Sequence, residues 1–165
     1  MPILVVAVLG ALIPTAIYVL FVWWLDRYEK EPLWLLALAF FWGAGPAAFL
    51  SVAFEQLIFP AIAALGAEGW AADLIQVGIA APLVEESLKG IALVGLVIVF
   101  FDEFDDVLDG IIYGAMIGFG FALTENIFGY FLPTLGEETL GRGLPFIFLR
   151  TIVFGANHAF WTGIT

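Results

Sequence analysis

Apolar runs of 20 or more residues recur along this chain, and they constrain its fold more than any other feature. Inside hydrocarbon no water pairs with backbone N–H and C=O groups, so a spanning segment must be a helix or part of a closed barrel. About 20 residues at about 1.5 Å each is the length of a transmembrane helix. Hydrophobic residues make up 63% of the 165 residues and charged residues only 13%, about half the charged share of a soluble domain. A soluble protein of this size cannot hide that much apolar surface. The expectation is an all-α fold: a polytopic membrane helix bundle of about five transmembrane helices, forming one domain over residues 1–165.

The predicted spans cover about 3–25, 33–59, 73–100 and 107–131, with a fifth starting near 144. Gly43, Gly45 and Pro46 are expected to kink the second span. A Gly/Ala-rich connection to about residue 72 is expected to hold a short interfacial helix around 62–70. The first run has no basic n-region and no small-residue cleavage site behind it, so it reads as a retained helix and not a signal peptide. The fifth span ends at Thr165 without a polar flank, and a further helix is expected beyond it in a chain read as truncated. Arg27 and Lys30 in loop one outnumber Arg142 on the opposite side. The positive-inside rule then puts loops one and three in the cytoplasm and the N-terminus outside.

Several function classes fall away. With no cysteine there is no disulfide framework, thiolate metal site or cysteine nucleophile. A net charge of −11 with five basic residues excludes a nucleic-acid partner, which needs clustered Lys and Arg, and a basic interfacial helix.

The informative departure from apolarity is Glu85-Glu86-Ser87-Leu88-Lys89, in the middle of the third span. Each charge near the bilayer centre costs roughly 2.5–3.5 kcal/mol, so such a group persists only facing a protein-lined or wet interior. Glu85 and Glu86 are consecutive and point about 100° apart on a helix, so they cannot both face one cavity squarely. Lys89 stands at i+4 and i+3 from them, the spacing of an intrahelical ion pair. Pro82, one turn earlier, loosens the helix there. A desolvated glutamate beside a second carboxylate suits a general base. The alternative is a structural ion-pair cluster that locks helices together.

In the fourth span Gly110, Gly114 and Gly118 fall at i, i+4 and i+8, a small-xxx-small face that lets helix backbones approach. Glu125 lies on that face and is expected to point at a neighbouring helix, either into a site or onto Arg150 as a structural pair. Asp109 reads as a solvated helix end. His158 is the only histidine. It lies about 21 Å from the loop-four side against about 18 Å for Glu85, so the two can meet. Thr162 shares its face. Glu–His pairs inside a membrane fit water activation for peptide hydrolysis, with or without zinc. A zinc site would need His158 with two carboxylates, Glu85 and Glu125. No His-Glu-x-x-His helix and no Gly-x-Ser-x-Gly is present, so zincin and serine-hydrolase readings lack support.

Together, Glu85-Glu86-x-x-Lys89, then Asp109-Gly110-x-x-Tyr113-Gly114 through Gly118-Phe119-Gly120-Phe121-Ala122 to Glu125-Asn126, then His158-Ala159 resemble the PrsW family of intramembrane proteases. The turn Asp26-Arg27-Tyr28-Glu29-Lys30-Glu31-Pro32 matches that family's first loop. The family is similar to the wider glutamate-dependent group that includes CAAX prenyl endopeptidases and bacteriocin-processing enzymes. The resemblance implies an all-helical membrane core, Glu85 and Glu86 as the catalytic pair with His158 as partner, and site-one cleavage of single-span regulators such as anti-sigma factors.

The expected activity is therefore an intramembrane endopeptidase acting on a membrane-anchored protein. Glu85 or Glu86 deprotonates a water, and His158 positions it or holds a metal. Lys89 tunes the glutamate charge, Glu125 and Asn126 complete the polar pocket, and Asn126, Asn157 or Lys89 donates to the oxyanion. The expected setting is the cytoplasmic membrane of a bacterium or archaeon, with lipid and a single-span substrate as partners and zinc as the cofactor where one is used. Two other classes share the composition. A proton-coupled transporter or channel would show proton uptake without proteolysis. A non-catalytic scaffold would keep its function through Glu→Gln changes.

Overall fold

The computed structural model describes residues 2–27, 30–66, 68–137, 140–153 and 155–164; the side chains at 2, 136, 137, 140–142 and 153 are outside that description. Tyr28, Glu29 and Thr165, and the Arg142 side chain used to orient the bundle, therefore lie outside the described residues. The elements are α1 (Pro2–Leu25), α2 (Leu33–Trp42), α3 (Ala48–Ala64), α4 (Gly69–Ile75), α5 (Ala81–Val99), α6 (Val107–Thr124), α7 (Leu132–Glu137), α8 (Leu140–Phe148) and α9 (Asn157–Gly163). The described residues contain no strand, and the chain is an all-α bundle.

Among the described residues, three helical stretches are long and apolar enough to cross a membrane by length and composition: Ile3–Leu25, Leu33–Ala64 and Val107–Leu135. The third predicted span is also continuous helix from α4 through α5, but Glu85, Glu86 and Lys89 make it less apolar. The fifth is assembled from α8, a π-helical turn and α9. At the end of α1, the Lys30 ammonium lies 3.6 Å from the Trp23 ring centroid and the Arg27 guanidinium 5.1 Å from that of Trp24. Amphipathic aromatic rings beside basic groups are typical of a membrane edge.

Among the described residues, four π-helical turns interrupt the helices, at Gly43–Ala47, Gln76–Ala80, Glu125–Phe131 and Leu149–Val153. The first contains Pro46 and lies where the second span is expected to kink. Pro82 and Pro133 follow the second and third by two residues. A proline has no N–H to give the preceding turn, which makes a wider i→i+5 turn cheap there.

Helix α6 is the centre of the bundle, buried on nearly every face. Its residues Ile112, Tyr113, Met116 and Ile117 pack with Leu35, Leu36 and Ala39 of α2 and with Ala92 and Leu96 of α5. Small residues let two backbones approach it from opposite sides. A Cβ on Gly114 would stand 2.7 Å from the Thr162 carbonyl oxygen, and one on Gly118 would stand 2.6 Å from His158 backbone atoms. Across the helix, a Cβ on Gly120 would run into the Phe40 carbonyl, and one on Gly43 into that of Ile117. Gly110, the first of the predicted glycine face, has open space beside it. The close approach is thus made by Gly114 and Gly118, and it brings α9 and His158 to α6.

Two local expectations are corrected. The short helix expected around 62–70 does not form as such. Helix α3 runs through Pro60 to Ala64, and the chain turns at Gly66 and enters α4 at Gly69, two positions whose φ values of 89° and 57° suit glycine. Asp109, read as a solvated helix end, is only 7% exposed. Its Oδ2 accepts from the Asp105 and Asp106 N–H groups at 2.7 and 2.9 Å, while Asp106 Oδ1 accepts from Leu108 and Asp109, a reciprocal cap of α6. Below it, the Tyr113 hydroxyl donates to Glu31, and the Glu31 N–H donates to Asp26 Oδ2 at 3.0 Å. Burial pushes the Glu31 carboxyl up to about 7; the Tyr113 hydrogen bond opposes the shift, and the Asp109 and Asp26 charges add to it. This buried knot ties loop one to α6.

Candidate active site

Four helical segments deliver one polar cluster. Helix α5 supplies Glu85, Glu86 and Lys89, α9 supplies His158 and Thr162, and the two π-helical turns supply Glu125 with Asn126 and Arg150. The Lys89 side chain is 0% exposed. Its ammonium donates to Glu86 Oε1 at 2.8 Å, lies 3.5 Å from Glu85 Oε2 and 3.0 Å from His158 Nδ1, and stands 3.7 Å from the Phe121 ring centroid. An ammonium has only donors, so Nδ1 accepts and the ring proton belongs on Nε2. That N–H then donates to Glu125 Oε2 at 3.0 Å. A carboxylate on the far ring nitrogen fixes tautomer and ring orientation.

Glu125 is held in turn by Arg150 Nη2 at 2.7 Å, and Arg150 Nε donates to Asn126 Oδ1 at 2.8 Å. The wide turn that begins at Glu125 lets two consecutive side chains meet one guanidinium. Glu125 thus pairs with Arg150 and also faces His158.

The two glutamates of α5 diverge as consecutive helix positions must, although both reach Lys89. Glu86 is taken up on both oxygens, by Lys89 and by the Thr162 hydroxyl at 3.1 Å. Glu85 has Oε2 beside Lys89 and, at 3.9 Å, His158 Nδ1. It makes no other hydrogen bond among the described residues. Glu85 also lines a cavity of about 300 Å³ with Ser51, Glu55, Thr124, Glu125 and Tyr130. Asn157 is exposed and does not join the cluster.

The expected metal set of His158, Glu85 and Glu125 is altered by this geometry. The ligand atoms within 4.8 Å of one another belong to Glu85, Glu86 and His158. Glu125 is drawn by Arg150 to the other ring nitrogen. Sequence reasoning passed over Glu55, although a single carboxyl in an apolar span is itself a signal. It also passed over Phe121 beneath the ammonium, which only the folded structure puts there.

The PrsW family intramembrane metalloprotease pattern matches residues 31–165. The chain belongs to this family. It is similar to the Protease PrsW of Geobacillus kaustophilus, 35% identical over 127 residues that make up 72% of this chain and 49% of that protein. It is also similar to the Protease PrsW of Bacillus subtilis, 28% identical over 137 residues, or 81% of this chain and 54% of that protein. The chain thus spans about half the length of the curated relatives it matches. No solved structure matches it. The family description implies a metal, and the donor chemistry fits one. Two carboxylates and an imidazole lone pair converge, with a carboxylate behind the imidazole, as in three-ligand catalytic zinc sites with a second shell.

Proposed function

We propose that this chain is the helical core of an intramembrane endopeptidase in a bacterial cytoplasmic membrane, cleaving a single-span protein such as an anti-sigma factor. The observation that carries the reading is the contrast between the two glutamates. Glu86 accepts a bond on each oxygen, from Lys89 and from Thr162, whereas Glu85 faces the cavity with only its contacts to Lys89 and His158 on one oxygen. A general base needs an oxygen open to water.

In this mechanism an unwound substrate segment enters beside α3 and the Glu125–Phe131 turn, whose residues line the cavity. Glu85 takes a proton from water as the water oxygen bonds to the scissile carbonyl carbon. It then returns that proton to the amide nitrogen as the C–N bond breaks. Asn126, its Oδ1 held by Arg150, offers its amide N–H groups to the oxyanion. In the metal-free site Lys89 holds the two α5 carboxylates together, and Glu125 holds His158 in register. Glu85, Glu86 and His158 would hold the metal, with one Glu85 oxygen left to take the proton, and zinc is the choice their ligand types favour. Such an ion supplies a Lewis acid for the carbonyl and a more acidic water.

The test is cleavage of a membrane-anchored reporter by Glu85→Gln, Glu86→Gln and His158→Ala variants. Loss of general base catalysis is worth about 10²–10⁴-fold, and Glu85→Gln is expected to fall in that range. Near-normal turnover in all three variants sinks the proteolytic reading.

A further inference from the structure

Lys89 does more in this structure than balance one carboxylate. Its three N–H groups meet three acceptors, Glu86 Oε1 at 2.8 Å, His158 Nδ1 at 3.0 Å and Glu85 Oε2 at 3.5 Å. Those acceptors come from the same three residues whose ligand atoms converge within 4.8 Å. The set of groups that would hold a metal is the set that surrounds this ammonium.

We propose that Lys89 is the resident cation of this donor set, so that metal entry and departure of the Lys89 ammonium are one exchange. The proposal rests on the metal reading above. Two carboxylates and an imidazole lone pair crowded together in a low-dielectric interior repel one another unless a cation sits among them. The ammonium supplies that cation, keeps the donors assembled, and is itself stabilised by the Phe121 face. A divalent ion on the same atoms competes with the ammonium for their lone pairs, and the two positive charges repel at contact distance. Lys89 therefore lowers metal affinity while it preorganises the site, and it selects for an ion able to displace it.

The exchange is tested by calorimetric titration of metal-stripped, full-length protein in detergent with zinc, comparing wild type with Lys89→Met and Lys89→Arg. Cobalt absorption serves as a second readout of donor geometry. Lys89→Met is expected to bind zinc at least about tenfold tighter. Its thermal midpoint without metal should fall below that of wild type, and added zinc should raise it by more than it raises wild type. Lys89→Arg keeps a cation among the donors and should bind no tighter than wild type. If Lys89→Met does not fold, Lys89→Gln carries the same expectation. Equal or weaker zinc binding by the neutral variant overturns the exchange and leaves the metal reading standing. Absence of zinc binding in both wild type and the neutral variants overturns the two together.

Discussion

The sharpest consequence of the packing concerns Gly118. A Cβ there would lie 2.6 Å from the His158 carbonyl carbon and oxygen and from the Ala159 nitrogen. All three are backbone atoms, so no side-chain rotation relieves the clash. Restoring a carbon–carbon separation of about 3.5 Å moves α9 away from α6 by about 0.9 Å, the difference between 3.5 and 2.6. His158 rides on that backbone, and its bond to Glu125, now 3.0 Å, stretches by up to that amount and is lost as a hydrogen bond. Overpacking of this kind typically costs about 1–3 kcal/mol of stability, while a misplacement near 1 Å can cost about 10²-fold in rate. Gly118→Ala should therefore lose roughly two orders of magnitude of reporter cleavage while remaining folded. Gly110→Ala is the matched control, since nothing lies within 4 Å of a Cβ there. Replacing a helical glycine at that position should be neutral or stabilise by up to about 1 kcal/mol. Cleavage and thermal unfolding of both variants, measured in the same micelles, decide the matter. A Gly118→Ala protein as active as wild type would refute the claim that the glycine face sets the position of His158.

Two further outcomes follow from the polar clusters. Arg150→Lys should not rescue Arg150→Ala, because an ammonium lacks the planar fork whose Nε and Nη2 reach Asn126 and Glu125 in two fixed directions; equal cleavage by the lysine variant and wild type would contradict this. Glu31 keeps its proton in the folded protein up to about 7, whereas the unfolded chain releases it near 4.5. The folded state then binds more protons between those values, so this group's stabilising contribution is complete below about 4.5 and disappears as pH rises through about 7. Thermal midpoints of Glu31→Gln should accordingly fall less than those of wild type between pH 5 and pH 8, and parallel curves would show that Glu31 does not titrate in this window.

Much of the architecture is legible in the chain itself because its causes are local. Apolar length forces helices, since lipid offers the backbone no partners. The cost of Glu85, Glu86 and Lys89 in hydrocarbon makes them face inward. Gly114 and Gly118 at helical spacing mark a close approach whatever the partner is. The pairing of Glu125 with both Arg150 and His158 is not legible in this way. Each π-helical turn adds a residue to a turn and rotates everything after it by about 100°, so helical spacing counted through the Glu125–Phe131 or Leu149–Val153 turn assigns the wrong faces. Asp109 reads as solvated until Glu31, far away in sequence, closes over it together with Tyr113 one turn along α6. Glu85 and Glu86 are chemically identical in sequence. Only the tertiary structure tells them apart, by placing Thr162 beside Glu86 and the cavity beside Glu85.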